Sequence, residues 1–379
     1  MTVRNSYTQR CAAVQSVIDP RLHRSCFAAE KLLEENVSKT GLSYFKKRNI
    51  DSDFDVLIDF DKKSYTLLKT GDLKDEGTEK KICTATKIRF GQKDKEEGEF
   101  IATATSMVRI LAKPGITLTE RELGYEQKYG QIEDRMIYHD KEGRNRVLYL
   151  KEAYEHPAFF YVLNDEAKLP PCEIVSTLLP VAKKLKEMHA DGVFHRDVKG
   201  LNILCKHNEK ENDSALLIDF GLSASAKNSD EAKLLTNVYG TPIYTSPERF
   251  PGSLFPTADV EIQHKADDMF ALGCVLYELI FERPIPWKEC VDKWFKDKKI
   301  TPYMNIIEEL SKIKMQTLGQ RSGHASSTLE ECLHKLLAMD PKSRMTAEEL
   351  VDKLSSIKEN STKFEVSFKR LVNLKLKEL

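Results

Sequence analysis

The octapeptide HRDVKGLN at residues 195–202 decides the fold of this 379-residue chain. Three of its side chains, Asp197, Lys199 and Asn202, place a carboxylate, a cation and an amide on one short loop. Transfer of a γ-phosphoryl group needs a carboxylate beside the attacking hydroxyl, a cation for the developing charge and an oxygen ligand for magnesium. The loop therefore indicates phosphoryl-transfer chemistry.

A second motif, DFG at 219–221, follows the apolar run Leu216–Ile218, which is predicted to be a strand. Asp219 supplies a carboxylate that can chelate magnesium bridging the phosphates, and Gly221 lets the backbone turn. Each motif alone occurs by chance, so the prediction depends on what surrounds them.

Three further motifs follow in order: GTPIYTSPE at 240–248, DMFALG at 268–273 and DPKSR at 340–344. Together with the first two they resemble the eukaryotic-type protein kinase superfamily over roughly residues 170–355, with Ser246 where an alanine is usual. The resemblance implies an α+β, bilobal fold. A small antiparallel sheet forms the N-lobe, the C-lobe is mainly helical, and ATP lies in the cleft between them.

The resemblance also implies a role for each matched residue. Asp197 orients the substrate hydroxyl and accepts its proton, and Lys199 neutralises the γ-phosphoryl group. Asn202 and Asp219 hold Mg²⁺, while Thr241 hydrogen-bonds the catalytic Asp and Lys. Lys199 and Thr241 are typical of serine/threonine kinases, which act on a protein substrate. Structural roles are implied for His195, Phe220, Glu248, Asp268 and Arg344, with Glu248 paired to Arg344.

Arg196, which precedes Asp197, implies a regulatory pocket for a phosphate on the activation segment. Thr236 lies near the usual phosphorylation site, and the alternative is that it is simply a solvated loop threonine. The other candidate phosphorylation sites are Ser223, Ser225 and Ser229.

Residues 54–165 are predicted to form strands around one helix. The strands are FDVLIDFD at 54–61, SYTLLKTG at 64–71, KKICTATKI at 80–88, FIATATSMVRIL at 100–111, RVLYLKEAY at 146–154 and AFFYVLND at 158–165, with polar turns at 71–77 and 90–99 and a helix at 119–128. Residues 19–45 and four later segments are predicted to be helical: 174–192, 269–281, 329–340 and 346–357.

The N-lobe departs from the family pattern, because it has neither GxGxxG nor VAIK. The best placement makes 71–77, ending at Gly77, a degenerate phosphate-covering turn. With this placement, the position at which the family usually has its ATP-binding lysine falls near Ala104. Glu122 is the expected partner of that lysine, with Glu126 as the alternate.

Two explanations of the missing lysine remain open. In one, Lys80 reaches the phosphates from the second strand, as in the with-no-lysine (WNK) kinases, and Lys81 points to the opposite face. If the strands are aligned with the family pattern in another register, Lys87 or Lys113 takes this role instead. In the other, the chain is a pseudokinase that acts as a binding or adaptor module. Asp165, at the predicted hinge, is a candidate ribose ligand.

Composition restricts the partners. Lys plus Arg and Asp plus Glu number 59 each, so no net charge recruits nucleic acid or an anionic membrane. The eight cysteines show no metal-binding spacing, and no stretch approaches a signal core or a membrane span. We therefore expect a cytoplasmic kinase without obligatory membrane contact. So divergent an N-lobe also suggests a bacterial effector that acts in a host cytoplasm.

The sequence predicts four regions: a helical extension at 1–50, a divergent N-lobe at 51–165, a C-lobe at 166–355 and a basic amphipathic tail at 356–379.

Overall fold

A computed structural model gives the fold. It describes residues 28–29, 31–40, 42–45, 55–59, 64–76, 80–92, 100–112, 120–130, 132–139, 145–152, 156–158, 169–206, 214–236, 240–250, 259–297, 303–315 and 324–358. The chain divides into two compact units, the first within 1–123 and 131–153 and the second comprising 124–130 and the chain from 154 onward.

The first unit is built on an antiparallel sheet. Its strands are β1 (Leu42–Phe45), β2 (Asp55–Asp59), β3 (Ser64–Glu76), β4 (Lys80–Gln92), β5 (Phe100–Ala112), β6 (Ile132–His139) and β7 (Asn145–Glu152), in the spatial order β1-β2-β3-β4-β5-β7-β6. A helix, α1 (Glu120–Tyr129), lies between β5 and β6 in the chain, and its residues up to Leu123 belong to this unit. The predicted combination of a small antiparallel sheet and one helix is confirmed.

Alternating apolar residues explain why this sheet forms. Val56 pairs with Leu67 and Ile58 pairs with Tyr65 across β2 and β3, and all four side chains are buried. Residues two apart on a strand share a face, so these pairs build one apolar surface.

The helix predicted for 19–45 is wrong at its end. Residues 31–35 are helical, a turn follows, and β1 pairs with β2 along its whole length. The Asn36 side-chain amide donates to the Leu32 carbonyl at 2.8 Å, at the point where the helix ends. Because Gly41 follows and is a poor helix former, 42–45 gain more from pairing with β2.

The turn predicted at 71–77 is also wrong for residues 71–76, which continue β3. The pairing with β4 shifts register between Thr70 and Leu73 and again between Leu73 and Asp75. These irregularities absorb Gly71-Asp72 as a bulge, so the strand reaches Glu76, which pairs with Lys81. Likewise β4 extends through Gln92 into the turn predicted at 90–99, and β6 was not predicted at all.

The second unit is mainly helical. Its helices are α2 (Pro171–Ala190), α3 (Ser229–Ala232), α4 (Val260–Phe281), α5 (Lys288–Asp297), α6 (Tyr303–Met315), α7 (His324–Leu336) and α8 (347–358). Short strands accompany them: β8 (His156–Pro157), β9 (Val193–Phe194), β10 (Ile203–Lys206), β11 (Ser214–Leu217) and β12 (Ala224–Ser225).

The predicted helices of this unit are confirmed. Helix α2 gives way to Gly192, whose φ of +73° reverses the chain where a side chain would be strained. Helix α4 is buried over most of its length and packs against α2 and α7 in one apolar core. Within the described part of the chain, no helix is long and apolar enough to cross a membrane.

Several predictions lie outside the described residues. They concern Gly77, Lys113, the strand over 159–165 with Asp165, residues 1–27 and the tail over 359–379.

Candidate active site

A short hairpin brings the two decisive motifs together. Strand β10 pairs with β11 so that Ile203 faces Leu217, and the Ile218 N–H donates to the Asn202 carbonyl at 2.9 Å. Asn202 therefore precedes one strand and Asp219 follows the other, at the same open end of the hairpin. This juxtaposition is what the two motifs predicted.

The carboxylate of Asp197 is held by three side chains. Its Oδ1 accepts from the Thr241 N–H at 3.0 Å and the Thr241 hydroxyl at 2.8 Å, and its Oδ2 accepts from Lys199 Nζ at 2.7 Å and Asn202 Nδ2 at 3.0 Å. Lys199 Nζ also donates to Thr241 Oγ1 at 2.9 Å. Four donors restrict Asp197 to one orientation, which a group that positions a hydroxyl needs.

Gly240 lets Thr241 approach this carboxylate. Its φ is +105°, and a Cβ at this position would lie 2.5 Å from the Arg196 carbonyl oxygen. Any other residue would push the segment away from the loop.

The site offers oxygen ligands that fit a divalent metal ion. Asn202 Nδ2 donates to both the backbone and the side chain of Asp197, so the amide oxygen faces away from Asp197. Asp219 adds a half-buried carboxylate on a left-handed residue with φ of +70°. Carboxylate and amide oxygens suit Mg²⁺, which takes few protein ligands and keeps several waters.

Buried contacts to Asp268 on α4 support the loop. This carboxylate accepts from the backbone N–H groups of His195 at 2.9 Å and Arg196 at 2.8 Å, and from His189 Nε2 at 3.0 Å. Burial alone would raise the pKa of Asp268, but these donors lower it below its ordinary value. Asp268 is therefore an anionic anchor of the loop.

The His195 ring joins the two motifs. Its Nε2 donates to the Ile218 carbonyl at 3.1 Å, and the ring lies edge-on to Phe220 with 5.2 Å between centroids. Both side chains are fully buried, which agrees with structural rather than chemical roles.

Arg196 contacts the chain that follows the DFG motif. Its guanidinium donates to the carbonyls of Leu222 at 3.2 Å and Leu234 at 2.9 Å. Thr236 is exposed, and its hydroxyl donates to the Lys233 carbonyl at 2.8 Å. Among the other candidate phosphorylation sites, Ser229 is exposed, whereas Ser223 and Ser225 are buried.

The predicted pair of Glu248 and Arg344 is present. The two side chains form a bidentate contact, with distances of 2.5 and 3.0 Å, and both are fully buried. Arg344 also donates to the Ala266 and Ala338 carbonyls and stacks on the Phe270 ring. The segment that carries Thr241 is thereby tied to the helical core.

Sequence reasoning missed a buried carboxylate under this segment. Glu278 on α4 accepts from the Tyr244 hydroxyl at 3.1 and 2.9 Å, three residues after Thr241. Burial raises its pKa to about 7, although the Tyr244 hydrogen bond opposes the shift. The available signal was a lone glutamate within the apolar run MFALGCVLYELIF.

We expect Glu278→Gln to remove a pH dependence of stability. The folded-state pKa exceeds the ordinary 4.5, so the protonated carboxyl contributes stability that is complete below about pH 4.5 and lost as the pH rises through 7. The loss is roughly 3 kcal/mol by the conversion of pKa units to free energy. Urea unfolding at pH 4.5, 6 and 8 measures it.

Glu289→Gln, at an exposed glutamate, is the control and should follow the wild-type pH profile. If the free energy of unfolding changed with pH in the same way in the wild type and in Glu278→Gln, Glu278 would not be the carboxyl with the raised pKa.

The N-lobe candidates lie on α1 and on the strands β4 and β5. Glu122 and Glu126 are both buried on α1, and Lys80 is the first residue of β4, paired with Ala112. Ala104, the expected lysine slot, pairs with Ile88 across β4 and β5.

Comparisons with known proteins agree with this geometry. The family model described as protein kinase domain matches residues 131–354. Serine/threonine-protein kinase PknH of Mycobacterium bovis is 38% identical over 123 residues, which cover 32% of this chain and 18% of that protein.

Two other relatives match longer stretches. Probable serine/threonine-protein kinase PknB of Corynebacterium glutamicum is 31% identical over 146 residues, 38% of this chain and 21% of that protein. Serine/threonine-protein kinase pkn3 of Myxococcus xanthus is 26% identical over 196 residues, 48% of this chain and 34% of that protein. The match thus spans about a fifth to a third of these relatives.

Proposed function

Because the chain belongs to the protein kinase family, we propose that it transfers the γ-phosphoryl group of Mg-ATP to serine or threonine hydroxyls of a protein substrate. The observation that carries this proposal is the Asp197 carboxylate, held by Lys199, Asn202 and Thr241 at 2.7–3.0 Å. ATP and a divalent metal follow from the family, and Mg²⁺ is the metal we propose.

The chain's own residues supply positioning and charge. Asp197 orients the substrate hydroxyl and accepts its proton, and Lys199 stabilises the charge that develops on the transferred group. Asn202 and Asp219 would hold the metal, which neutralises phosphate charge when bound. Thr241 keeps Asp197 and Lys199 in register through its contacts with both.

The preference for serine and threonine hydroxyls rests on two features. Lys199 and Thr241 contact each other, which is the pair that the family resemblance associates with this class. The relatives above are also named serine/threonine-protein kinases.

A pseudokinase that acts only by binding is the alternative, and it has no support from these relatives. Radiolabelled ATP transfer to generic protein substrates tests the proposal, with Asp219→Ala as the variant. We expect that loss of this metal ligand lowers the rate at least about a hundredfold. Absence of phosphate incorporation by the wild type would leave only the binding function.

We further propose that Lys80 aligns the ATP phosphates, with Glu122 as its partner and Gly77 and Asp165 also near the nucleotide. Support comes from the order of elements, because Lys80 starts the strand that precedes β5 and α1.

The proposed regions remain 1–50, 51–165, 166–355 and 356–379. A cytoplasmic location and an effector role also stay predictions.

Lys80→Met tests the relocated lysine. We expect phosphate transfer to fall about a hundredfold, because phosphate alignment depends on a nearby cation. Lys81→Met is the matched control, since neighbouring strand residues face opposite sides and its activity should stay within about twofold. Loss in Asp219→Ala but not in Lys80→Met would discard the relocated lysine and keep catalysis.

A further inference from the structure

The segment from Asp219 to Thr241 carries part of the candidate site at each end. Asp219 is a proposed metal ligand, and Thr241 donates twice to Asp197. The described part of this segment is residues 219–236 and 240–241, and contacts within that part bear on the positions of both Asp219 and Thr241.

Glu231, on the short helix α3, is the acidic centre of this segment. Its Oε2 accepts from the Tyr125 hydroxyl at 2.5 Å and from the Ser225 N–H at 2.9 Å, and its Oε1 accepts from Asn228 Nδ2 at 3.2 Å. Hydrogen bonds to an ionised carboxylate are about twice as strong as neutral ones. Glu231 thus ties the segment to the C-terminal half of α1, within the second unit.

The position of Tyr125 is fixed by neighbouring aromatic residues, which make further contacts of their own. Its ring stacks on Tyr129 with 6.1 Å between centroids, and Tyr129 packs at 6.1 Å against Phe220 of the DFG motif. The Tyr129 hydroxyl donates to Asp191 at 2.7 Å. A continuous set of contacts therefore joins Glu231 to the metal-binding motif.

Two further side chains, Arg196 and His264, donate hydrogen bonds to backbone carbonyls of the segment. Arg196, which the family resemblance assigns to a phosphate, donates to the carbonyls of Leu222 and Leu234. His264 Nε2 donates to the Leu235 carbonyl at 2.9 Å, and the His264 ring is buried. These groups hold the chain at Leu222, Leu234 and Leu235 without any phosphate.

We propose that Glu231 and Tyr125 are positioning residues that order this segment, so that catalysis needs no phosphate on Thr236. The exposed Thr236 hydroxyl bonds only to a local carbonyl, that of Lys233, as far as the described residues show. The proposal rests on the kinase function and specifies how the same site is regulated.

The experiment measures steady-state phosphate transfer by the full chain after phosphatase treatment, with the phosphate-free state checked by mass spectrometry. We expect Glu231→Gln and Tyr125→Phe each to lower kcat about tenfold, a moderate effect for lost positioning. The double variant should be no worse than Tyr125→Phe alone, because Glu231→Gln weakens the same contact that Tyr125→Phe removes.

Two variants serve as controls. Asp230→Asn makes the same chemical change on the adjacent residue, whose carboxylate has only an exposed 3.7 Å contact with Lys233 among the described residues. Thr236→Ala removes the phosphorylation candidate. Both should keep kcat within about twofold of the wild type.

Thermal unfolding and hydrogen exchange separate positioning from general destabilisation. In Glu231→Gln the midpoint should shift by less than about 2 °C, while exchange over 222–236 becomes faster. Unchanged kcat and unchanged exchange in this variant would overturn the proposal, as would a tenfold loss in Thr236→Ala. Should the wild type transfer no phosphate, the proposed function fails, and the exchange data still decide on the Glu231 contact.

Discussion

Asp197→Asn is expected to lower kcat for phosphate transfer about a thousandfold or more, in line with the loss of a general base. The amide keeps the shape of the side chain but has no carboxylate to accept the hydroxyl proton. Both Asp197 oxygens accept hydrogen bonds, which come from Thr241, Lys199 and Asn202. In the variant an NH₂ group replaces one of these oxygens and faces hydrogen-bond donors. Radiolabelled ATP transfer, measured as kcat and KM, is the assay.

The matched control is Asp259→Asn. Asp259 caps helix α4 by accepting from the Ile262 N–H at 3.0 Å, and asparagine caps a helix about as well as aspartate. This variant should therefore keep wild-type activity. Far-UV circular dichroism checks that Asp197→Asn is folded. If folded Asp197→Asn retained activity within threefold of the wild type, the role of Asp197 would be wrong.

Arg344→Ala is expected to have the largest effect on stability, a loss of about 3–5 kcal/mol in the free energy of unfolding. Removal of the guanidinium leaves Glu248 as a fully buried charge and frees the carbonyls of Ala266 and Ala338. A buried carboxylate without its cation is costly because the interior solvates it poorly. Urea unfolding followed by circular dichroism measures the change.

Lys342→Ala is the control for this variant. Lys342 is exposed two residues earlier, and its side chain should contribute less than about 0.5 kcal/mol. A second test combines Arg344→Met with Glu248→Leu, which removes both charges and should recover much of the lost stability. An unfolding free energy of Arg344→Ala within 1 kcal/mol of the wild type would show that the pair is not a structural tie.

The second unit was largely predictable because its helices and motifs are specified by residues that lie close together in the chain. An apolar helical period predicted α2 and α4, and the HRD and DFG motifs flank one hairpin, so their proximity follows from chain connectivity. The first unit was less predictable, since strand ends depend on partners that are distant in sequence. Pairing with β4 carried β3 through Gly71-Asp72, and pairing with β2 turned 42–45 into a strand.

By itself the sequence determined the fold class, the family resemblance and the residue types of the loop at 195–202, because these depend on residues close together in the chain. Only the tertiary structure revealed that Glu231 binds Tyr125 across 106 positions and that Glu278 lies buried under Tyr244. Such contacts join elements remote in sequence, and a local pattern carries no information on which of many polar groups will meet. Their energies also arise from burial, which exists only once the core has formed.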